Sequence, residues 1–364
     1  MTNNTTLTPE IALGWDGNTS LIQYTSIDDL AAEVLAKYED ADLELRGLTS
    51  LSLPAAQALS KQKSGSLNLR GLTSLENDVA EAFSNYGGFL GLEGLTSLSL
   101  PAAQALTKSV QFLDLSALTS VPDPVAEVLA KCKCRIQLRG LRELTHPGLA
   151  AKLAEADDEL DLPALTELSD PVAAALSKTK ARLLLDGLKS FTHLGLDKKL
   201  SAERGSRDCL RLTSLSAADA AELYQHQGNL DFECLTTLTA DAAAGVARHK
   251  GKLFFDRLAE LSGDAAQALS KHDGPMTFWG IRSLSTPAAE GLSHFKDTLD
   301  LYGLTSLSDA AAEALSLHEG TLEMTCLASL SDTAAEALSR HKGPLTLSPE
   351  LSQKVSAKHS TQTT

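Results

Sequence analysis

The feature that most constrains this chain is a segment similar to Gly-Leu-Thr-Ser-Leu that returns every 23 or 24 residues. Units this short cannot bury an apolar face alone, so consecutive copies must stack on one another. The first leucine of the segment serves here as the marker of each repeat. The markers are Ile27, Leu48, Leu72, Leu95, Leu118, Leu141, Leu165, Leu188, Leu212, Leu235, Leu258, Ile281, Leu304 and Leu327. The sequence therefore predicts about fourteen stacked repeats.

Hydrophobic spacing changes character within each repeat. Leu43 and Leu45 alternate with charged residues, as in a half-buried strand, whereas Leu51, Ala55 and Leu59 follow at helical spacing. Each repeat is therefore predicted to be a short strand, a corner and about two turns of helix. Because aromatic residues make up only 4% of the chain, the interior is expected to consist of small aliphatic layers.

Proline and glycine positions predict the ends of the helices. An acidic or hydroxyl residue before proline predicts helix starts at Asp123-Pro124, Asp170-Pro171 and Thr286-Pro287. A glycine 16 residues after a marker predicts a left-handed residue that ends the helix. These glycines are Gly88, Gly228, Gly251, Gly274, Gly320 and Gly343.

The spacing Leu-x-Leu-x-x-Leu-x-x-Leu, with the recurring Ala-Ala-x-Ala-Leu-Ser-Lys-His, resembles leucine-rich repeats of the bacterial 23-residue type and repeat proteins of planctomycetes. The resemblance covers residues 21–347. It implies an α/β leucine-rich-repeat solenoid with a parallel strand face on one side and short helices on the other. It also implies a bacterial protein that binds other proteins.

The flanks of the repeats are expected to cover the ends of the stack. Thr8-Pro9 and Ser348-Pro349 each predict the start of a capping helix. The expected organisation is an N-terminal cap at 1–20, a single repeat domain at 21–347, and a C-terminal cap with a frayed tail at 348–364.

Charge limits the class of partner. The chain carries 47 acidic and 32 basic residues, a net charge of −15, which repels the phosphate backbone of nucleic acids. No apolar run is long enough to cross a bilayer, and the first residues lack the basic and apolar regions of a signal peptide. A cytoplasmic protein that binds neither nucleic acid nor membranes, as a monomer or with weak self-association, is expected.

Histidines and cysteines are the candidates for chemistry. Five histidines each follow the last helical leucine or valine by three residues and should form one column in the stack. A line of imidazoles lacks the convergence of a metal site, so we interpret it as packing. These residues are His226, His249, His272, His318 and His341. With no phosphate loop, nucleophile elbow or paired carboxylates, the sequence predicts no enzyme, no metal and no cofactor.

The cysteines Cys132, Cys134, Cys209, Cys234 and Cys326 do not form a disulfide framework. The pair in Cys132-Lys133-Cys134 suits half of a metal site or a redox pair, but no second ligand pair follows. Small buried thiols are the simpler interpretation for the cysteines.

Repeats five, six, eight and nine carry basic residues within an acidic chain, and these residues are here called the basic middle. Either it balances nearby acids or it holds an acidic or phosphate-bearing partner. The eighth repeat also lacks the Ala-Ala helix and is expected to be the weakest part of the stack. The basic middle comprises Lys131, Lys133, Arg135, Arg139, Arg142, Arg182, Lys189, Lys198, Lys199, Arg204, Arg207 and Arg211.

A partner-binding patch is predicted from the strand period. Residues four and two before each marker point away from the core, and three of them in successive repeats are Phe254, Trp279 and Tyr302. We expect these rings to lie side by side and to bind a protein or peptide that has an apolar anchor and a basic rim. A self-associating structural element is the alternative. The flanking acids are Asp231, Glu233, Asp256, Asp300 and Glu323.

Overall fold

A computed structural model describes residues 5–38, 41–62, 65–188, 191–204 and 209–362. The chain divides into two compact units, Met1–Lys189 and Ser190–Thr364. The assignment of residues 21–347 to one domain stays a prediction. Across the described ranges, no helix is both long and apolar enough to span a membrane.

Helices and strands alternate along both units. The strands are β1 Thr6–Leu7, β2 Ser26–Ile27, β3 Leu43–Glu44, β4 Ser66–Asn68, β5 Phe89–Gly91, β6 Phe112–Asp114, β7 Arg135–Gln137, β8 Glu143–Leu144, β9 Glu159–Asp161, β10 Glu167–Leu168, β11 Arg182–Leu184, β12 Cys209–Leu210, β13 Leu230–Phe232, β14 Leu253–Phe255, β15 Met276–Phe278, β16 Leu299–Asp300, β17 Leu322–Glu323 and β18 Leu345–Thr346. The α-helices are α1 Pro9–Leu13, α2 Asp29–Leu35, α3 Leu53–Leu59, α4 Asn77–Ala82, α5 Leu100–Leu106, α6 Asp123–Lys131, α7 Pro147–Leu153, α8 Asp170–Leu176, α9 Leu194–Arg204, α10 Ala217–Leu223, α11 Ala240–Val246, α12 Gly263–Leu269, α13 Thr286–Ser293, α14 Asp309–Leu315, α15 Asp332–Leu338 and α16 Pro349–Gln362, and a 3-10 turn at Phe83–Asn85 follows α4.

The strands of successive repeats pair in parallel. In the first unit, β3 to β7 form a sheet in chain order, β9 pairs with β11, β8 with β10, and β1 with β2. In the second unit, β12 to β18 form one sheet in chain order. One helix follows each of the fourteen markers, from α2 to α15. The α/β leucine-rich-repeat architecture is therefore confirmed.

The core contains the inward side chains of every repeat. Leu43 and Leu45 are fully buried while Arg46 is exposed, as the strand period predicts. The second unit departs from the expected aliphatic layers, because three buried phenylalanines stack on consecutive strands. Ring centroids lie 5.2 Å apart between Phe232 and Phe255 and 5.0 Å apart between Phe255 and Phe278. The few aromatic residues are thus concentrated where equivalent positions align.

The helix starts are capped one residue earlier than the sequence indicated. Asp123, Asp170 and Thr286 are the first helical residues, not the caps. In α13 the side chain of Ser285 accepts the hydrogen bond from the Ala288 N–H. The serine or threonine four residues after a marker does the same in several other repeats, which satisfies a backbone donor at the start of those helices. Helices α4, α6 and α8 have no such side-chain cap.

Removal of one such cap should lower stability measurably. Ser262 accepts a hydrogen bond from the Ala265 N–H at 3.2 Å. We expect Ser262→Ala to lower the free energy of unfolding by about 1 kcal/mol, because that donor loses its partner. Urea unfolding checks the prediction, and Ser262→Asp, which restores an acceptor, is the matched control. Equal stability of the alanine variant and the wild type would contradict the role of the cap.

The glycines after the helices serve close packing more than left-handed backbone. Only Gly228 and Gly274 of the six predicted positions have positive φ, 106° and 149°. At Gly251, Gly320 and Gly343 a Cβ would overlap the backbone carbonyl oxygen of the preceding repeat. The prediction of a left-handed residue was therefore wrong for four of the six glycines, including Gly88. Successive turns stack too closely to admit a side chain.

Helices α1 and α16 flank the repeats, and α9 replaces the usual short helix in the eighth repeat. Helix α1 begins at Pro9 after Thr8, although the Thr8 side chain makes no capping hydrogen bond, and α16 begins at Pro349. The eighth repeat contains α9, an 11-residue helix, and the boundary between the two units falls within this repeat. Residues 205–208 lie outside the described residues, so the expected weakness of this repeat stays a prediction.

Candidate functional site

The outward side chains of the second sheet form two rows. The strand register aligns Asp231, Phe254, Thr277, Asp300 and Glu323, here called the first row. Two residues further along each repeat lies the second row. It comprises Glu233, Asp256, Trp279, Tyr302 and Thr325.

Trp279 and Tyr302 are neighbours in the second row and are both exposed. The rings keep 51% and 48% of their accessible surface, and their centroids lie 5.5 Å apart at 37° between planes. The backbone holds them in place, because the Trp279 N–H donates to the Phe255 carbonyl oxygen at 3.1 Å. The expectation that these two rings lie side by side is confirmed.

Phe254 does not join this ring pair. It lies in the first row opposite Thr277, whereas the second-row neighbour of Trp279 is Asp256. In the described part of the chain, the ring contact of Trp279 is with Tyr302 and not with Phe254. Phe254 is also only half-exposed. The expected run of three adjacent rings was therefore wrong, because Phe254 precedes its marker by four residues and the other two precede theirs by two.

Both rows carry carboxylates near the ring pair in the strand register. Burial and the neighbouring carboxylate of Glu233 raise the pKa of Asp256. The cation of Arg257 lowers it, but by less. Burial and Glu323 likewise raise the pKa of Asp300. Within the described ranges, neither aspartate forms an ion pair with a basic side chain. A cation brought to this surface would relieve the repulsion between these carboxylates.

The five predicted histidines form a column at the helix side of the second unit. Adjacent ring centroids lie 6.1 Å apart for His226 and His249, 6.5 Å for His249 and His272, and 5.9 Å for His318 and His341. Phe295 occupies the same position in the repeat between His272 and His318 and stacks on His318. The column is therefore confirmed, with one phenyl ring inserted.

Packing and hydrogen bonding explain these imidazoles. His249, His272 and His318 are buried, and burial lowers the pKa of each. Nε2 of His249 lies 2.9 Å from the Gly228 carbonyl oxygen, and Nε2 of His272 lies 2.9 Å from that of Gly251. Each neutral ring can thus donate a hydrogen bond to the turn of the preceding repeat. Burial also lowers the pKa of His341.

The cysteines are less uniform than the sequence indicated. Cys134 is buried and Cys132 and Cys234 are half-buried, but Cys326 is exposed. The buried-thiol interpretation is therefore wrong for Cys326, which lies next to the outward second row. The side chain of Cys209 lies outside the described residues. No group of three or more His, Cys, Asp or Glu side chains within the described ranges is arranged to hold a metal ion.

Several members of the basic middle are paired with acids. Lys131 lies 2.5 Å from Glu127, Arg182 lies 3.8 Å from Glu159, and Arg139 pairs with Asp161. Lys198 also pairs with Glu222 at 3.1 Å. Lys189 and Arg207 lie outside the described residues. This arrangement favours the charge-balancing interpretation of the basic middle over a site for an acidic partner.

A ring pair on the first unit was not predicted from the sequence. Phe89 and Phe112 stack with centroids 4.5 Å apart and 9° between planes, and both are half-buried. They lie six residues before their markers, a position that the two-row interpretation did not include. Equal spacing of two phenylalanines from Leu95 and Leu118 is the signal that could have revealed them.

The repeat geometry, a short parallel strand followed by a helix, is that of the leucine-rich-repeat fold. No protein-family model and no curated protein matches the chain. Among solved structures, a leucine-rich-repeat protein of Leptospira interrogans is 17% identical with a TM-score of 0.30, covering 90% of this chain and 96% of that chain. The Drosophila Toll–Spatzle complex is 13% identical with a TM-score of 0.36, covering 91% of this chain and 48% of that chain.

An internalin of Listeria monocytogenes is 16% identical with a TM-score of 0.30, covering 86% of this chain and 81% of that chain. At these identities and TM-scores the similarities carry no argument about binding. The interpretation of the surface rests on the residues of this chain.

Proposed function

We propose that this chain is a non-enzymatic scaffold that binds a protein or peptide through the strand face of its second unit. The observation that carries the proposal is the exposed pair of Trp279 and Tyr302 in a chain with few aromatic residues. Exposed tryptophan and tyrosine contribute strongly to protein interfaces, because large rings bury much area with little loss of side-chain entropy.

The partner that suits this surface has an apolar anchor and a basic rim. The anchor would pack against Trp279 and Tyr302, and basic side chains would approach Asp256 and Asp300, whose pKa values are raised by burial and by neighbouring carboxylates. Asp231, Glu233 and Glu323 extend the negative surface along both rows. Charge complementarity of this kind favours specificity and fast association.

The location and origin of the chain belong to the same proposal. The resemblance of the repeats to those of bacterial proteins supports a bacterial origin, and a cytoplasmic location is proposed with it. The net charge of −15 disfavours nucleic acid as the partner. These statements support a protein or peptide as the bound molecule.

Selection of binding peptides tests the proposal. Random peptides displayed on phage are selected on the full chain and then compared on the double variant Trp279→Ala/Tyr302→Ala. We expect enriched peptides to combine a large apolar residue with nearby arginine or lysine and to bind the double variant at least tenfold more weakly. Tyr224→Ala is the matched control, because Tyr224 is also exposed but lies at the end of α10.

Two results would count against the proposal. Selected peptides that bind the double variant as well as the wild type would place the binding site elsewhere. Self-association of the chain that disappears in the double variant, detected by light scattering across concentrations, would make the ring pair an interface between copies of this chain.

A further inference from the structure

Two thiols at the end of α6 lie in direct contact. The Sγ atoms of Cys132 and Cys134 are 2.7 Å apart, and the Cys134 thiol donates to Cys132 Sγ. Only Lys133 separates them in the sequence. This contact belongs to the first unit and has no part in the surface formed by Trp279 and Tyr302.

The backbone on either side of the cysteine pair is hydrogen-bonded to other parts of the first unit. Helix α6 ends at Lys131, and the Cys132 N–H bonds to the Leu129 carbonyl oxygen at 3.3 Å. Strand β7 begins at Arg135, whose N–H bonds to the Gln111 carbonyl oxygen at 2.9 Å. The backbone on both sides of the two thiols is therefore hydrogen-bonded to structure outside this short segment.

The two thiols differ in access. Cys132 is half-buried and can meet a small molecule from solvent, whereas only 2% of Cys134 is exposed. Lys152, whose side chain is 12% exposed and pairs with Glu155, places a cation near Cys132. An accessible thiol beside a cation, with a second thiol behind it, is the arrangement typical of a thiol that reacts with oxidants and is then resolved.

We propose that Cys132 and Cys134 form a reversible thiol-oxidation site that reacts with peroxides, with Cys132 as the nucleophile and Cys134 as the resolving thiol. The Cys132 thiolate attacks one peroxide oxygen, the O–O bond breaks, and the sulfur becomes a sulfenic acid while the other oxygen leaves as water after protonation. The Cys134 sulfur then attacks the Cys132 sulfur, which forms the disulfide and releases a second water. Two thiols are oxidised and one hydrogen peroxide is reduced to two waters.

The electrostatics agree with these roles. The hydrogen bond from Cys134 and the nearby Lys152 cation lower the pKa of Cys132 to about 7, so that a large fraction is thiolate at neutral pH. The contact with Cys132 and burial raise the pKa of Cys134, which therefore stays protonated until the sulfenic acid forms. An attacking thiol whose pKa is close to the ambient pH combines thiolate population with nucleophilicity.

Oxidation would fix the backbone on one side of a cavity. Lys133, inside the ring that the disulfide would close, lines a cavity of about 360 Å³ between β7 and β9 together with Arg135, Arg139 and Lys152. The disulfide would restrict the position of Lys133 in the lining of this cavity. The redox state of the pair would therefore alter a lining that carries acidic side chains, among them Glu155 and Asp161, as well as basic ones.

Peptide mapping after peroxide treatment tests the site in the full chain. A protease that cleaves after glutamate releases residues 128–143, which contain both thiols of the pair and no other cysteine. After brief exposure to hydrogen peroxide, we expect this peptide to lose about 2 Da and to resist alkylation, and dithiothreitol should restore two alkylation sites. Cys326, which is exposed, serves as the internal comparison and should be alkylated more slowly than Cys132 at pH 7.

Three variants separate this chemistry from general oxidation. Cys134→Ser should leave a sulfenic acid at Cys132 that dimedone traps, because no resolving thiol remains. Lys152→Gln should slow oxidation several-fold, and Lys152→Arg should restore most of the rate. A peptide that keeps two free thiols while Cys326 oxidises, or a pair that passes directly to sulfonic acids without a reducible disulfide, would overturn the proposal.

Discussion

Lowering the pH from 7 to 5 is expected to destabilise the second unit strongly. Burial lowers the pKa of His249, His272, His318 and His341 below the ordinary value of 6.5, so the folded chain takes up protons on these rings less readily than the unfolded chain. Unfolding releases them to water, where they take up protons below pH 6.5. Each imidazole that stays neutral in the folded chain should reduce the free energy of unfolding by up to about 1.4 kcal/mol per pH unit.

The direction of this effect follows from the sign of the shifts. Well above pH 6.5 the histidines are neutral in both states and cost no stability. As the pH falls towards the folded pKa of each ring, the unfolded chain binds more protons than the folded chain. This proton binding stabilises the unfolded state relative to the folded state. Like charges on rings 5.9 to 6.5 Å apart would oppose protonation of the folded column further.

The chain itself supplies non-titrating replacements for the control. Gln62 occupies the equivalent position in the first unit, and its side-chain amide donates to the Ala41 carbonyl oxygen of the preceding repeat at 2.6 Å. His249→Gln and His272→Gln should therefore keep a donor for the turn. His318→Phe and His341→Phe follow the example of Phe295, which already stacks in this column.

Urea unfolding of the wild type and of this fourfold variant at several pH values measures the effect. The variant should lose much less stability between pH 7 and pH 5, and zinc should change neither chain. The carboxyls of Asp256 and Asp300, whose raised pKa acts in the opposite direction, are present in both chains. Parallel pH profiles of the two chains would contradict the burial of neutral imidazoles.

Trp279→Ala is expected to weaken partner binding by about 2 kcal/mol, or about 30-fold in Kd, and to leave the fold intact. The side chain is half exposed, so its removal leaves no cavity in the core. It would remove the larger member of the ring pair, which offers the partner a wide apolar surface between carboxylates. Isothermal titration with a peptide selected on the wild type measures the loss.

Two further variants are the controls for the affinity loss in Trp279→Ala. Tyr224→Ala removes an exposed ring of the same unit that lies against Arg248 at the helix side, and it should not change the affinity. Phe254→Ala should have a smaller effect than Trp279→Ala, since Phe254 is half-buried and stands in the other row. If Trp279→Ala and Tyr224→Ala gave equal affinities, the ring pair would not be the anchor site.

The repeat fold could be predicted from the sequence because the same local pattern recurs in many repeats. The alternation of Leu43 and Leu45 with charged neighbours recurs in successive repeats, so the strand period and the inward positions follow directly. The histidine column could be predicted in the same way, since residues at equal distances from their markers align in the stack. The separation of Phe254 from Trp279 follows from the same positions, because residues four and two before a marker lie in different rows.

Other features depend on distances that a repeat pattern does not contain. The close approach of stacked turns explains Gly251 and Gly343, but only the carbonyl oxygens of the preceding repeat reveal it. The contact between Cys132 and Cys134 depends on how the segment after α6 bends, which two cysteines with one residue between them do not specify. The pairing of the basic middle with acids likewise depends on which charges meet across neighbouring repeats.

Fluorescence of Trp279 is the most direct test of the proposed binding surface. The chain has two tryptophans, and Trp15 is buried with its indole N–H bonded to the Thr19 carbonyl oxygen. In the variant Trp15→Phe, emission comes from Trp279 alone. Titration with the selected peptide should shift this emission to shorter wavelength, with the same Kd as calorimetry, because the indole leaves water on binding. Saturated binding with an unchanged Trp279 spectrum would contradict the assignment of the strand face as the interaction site.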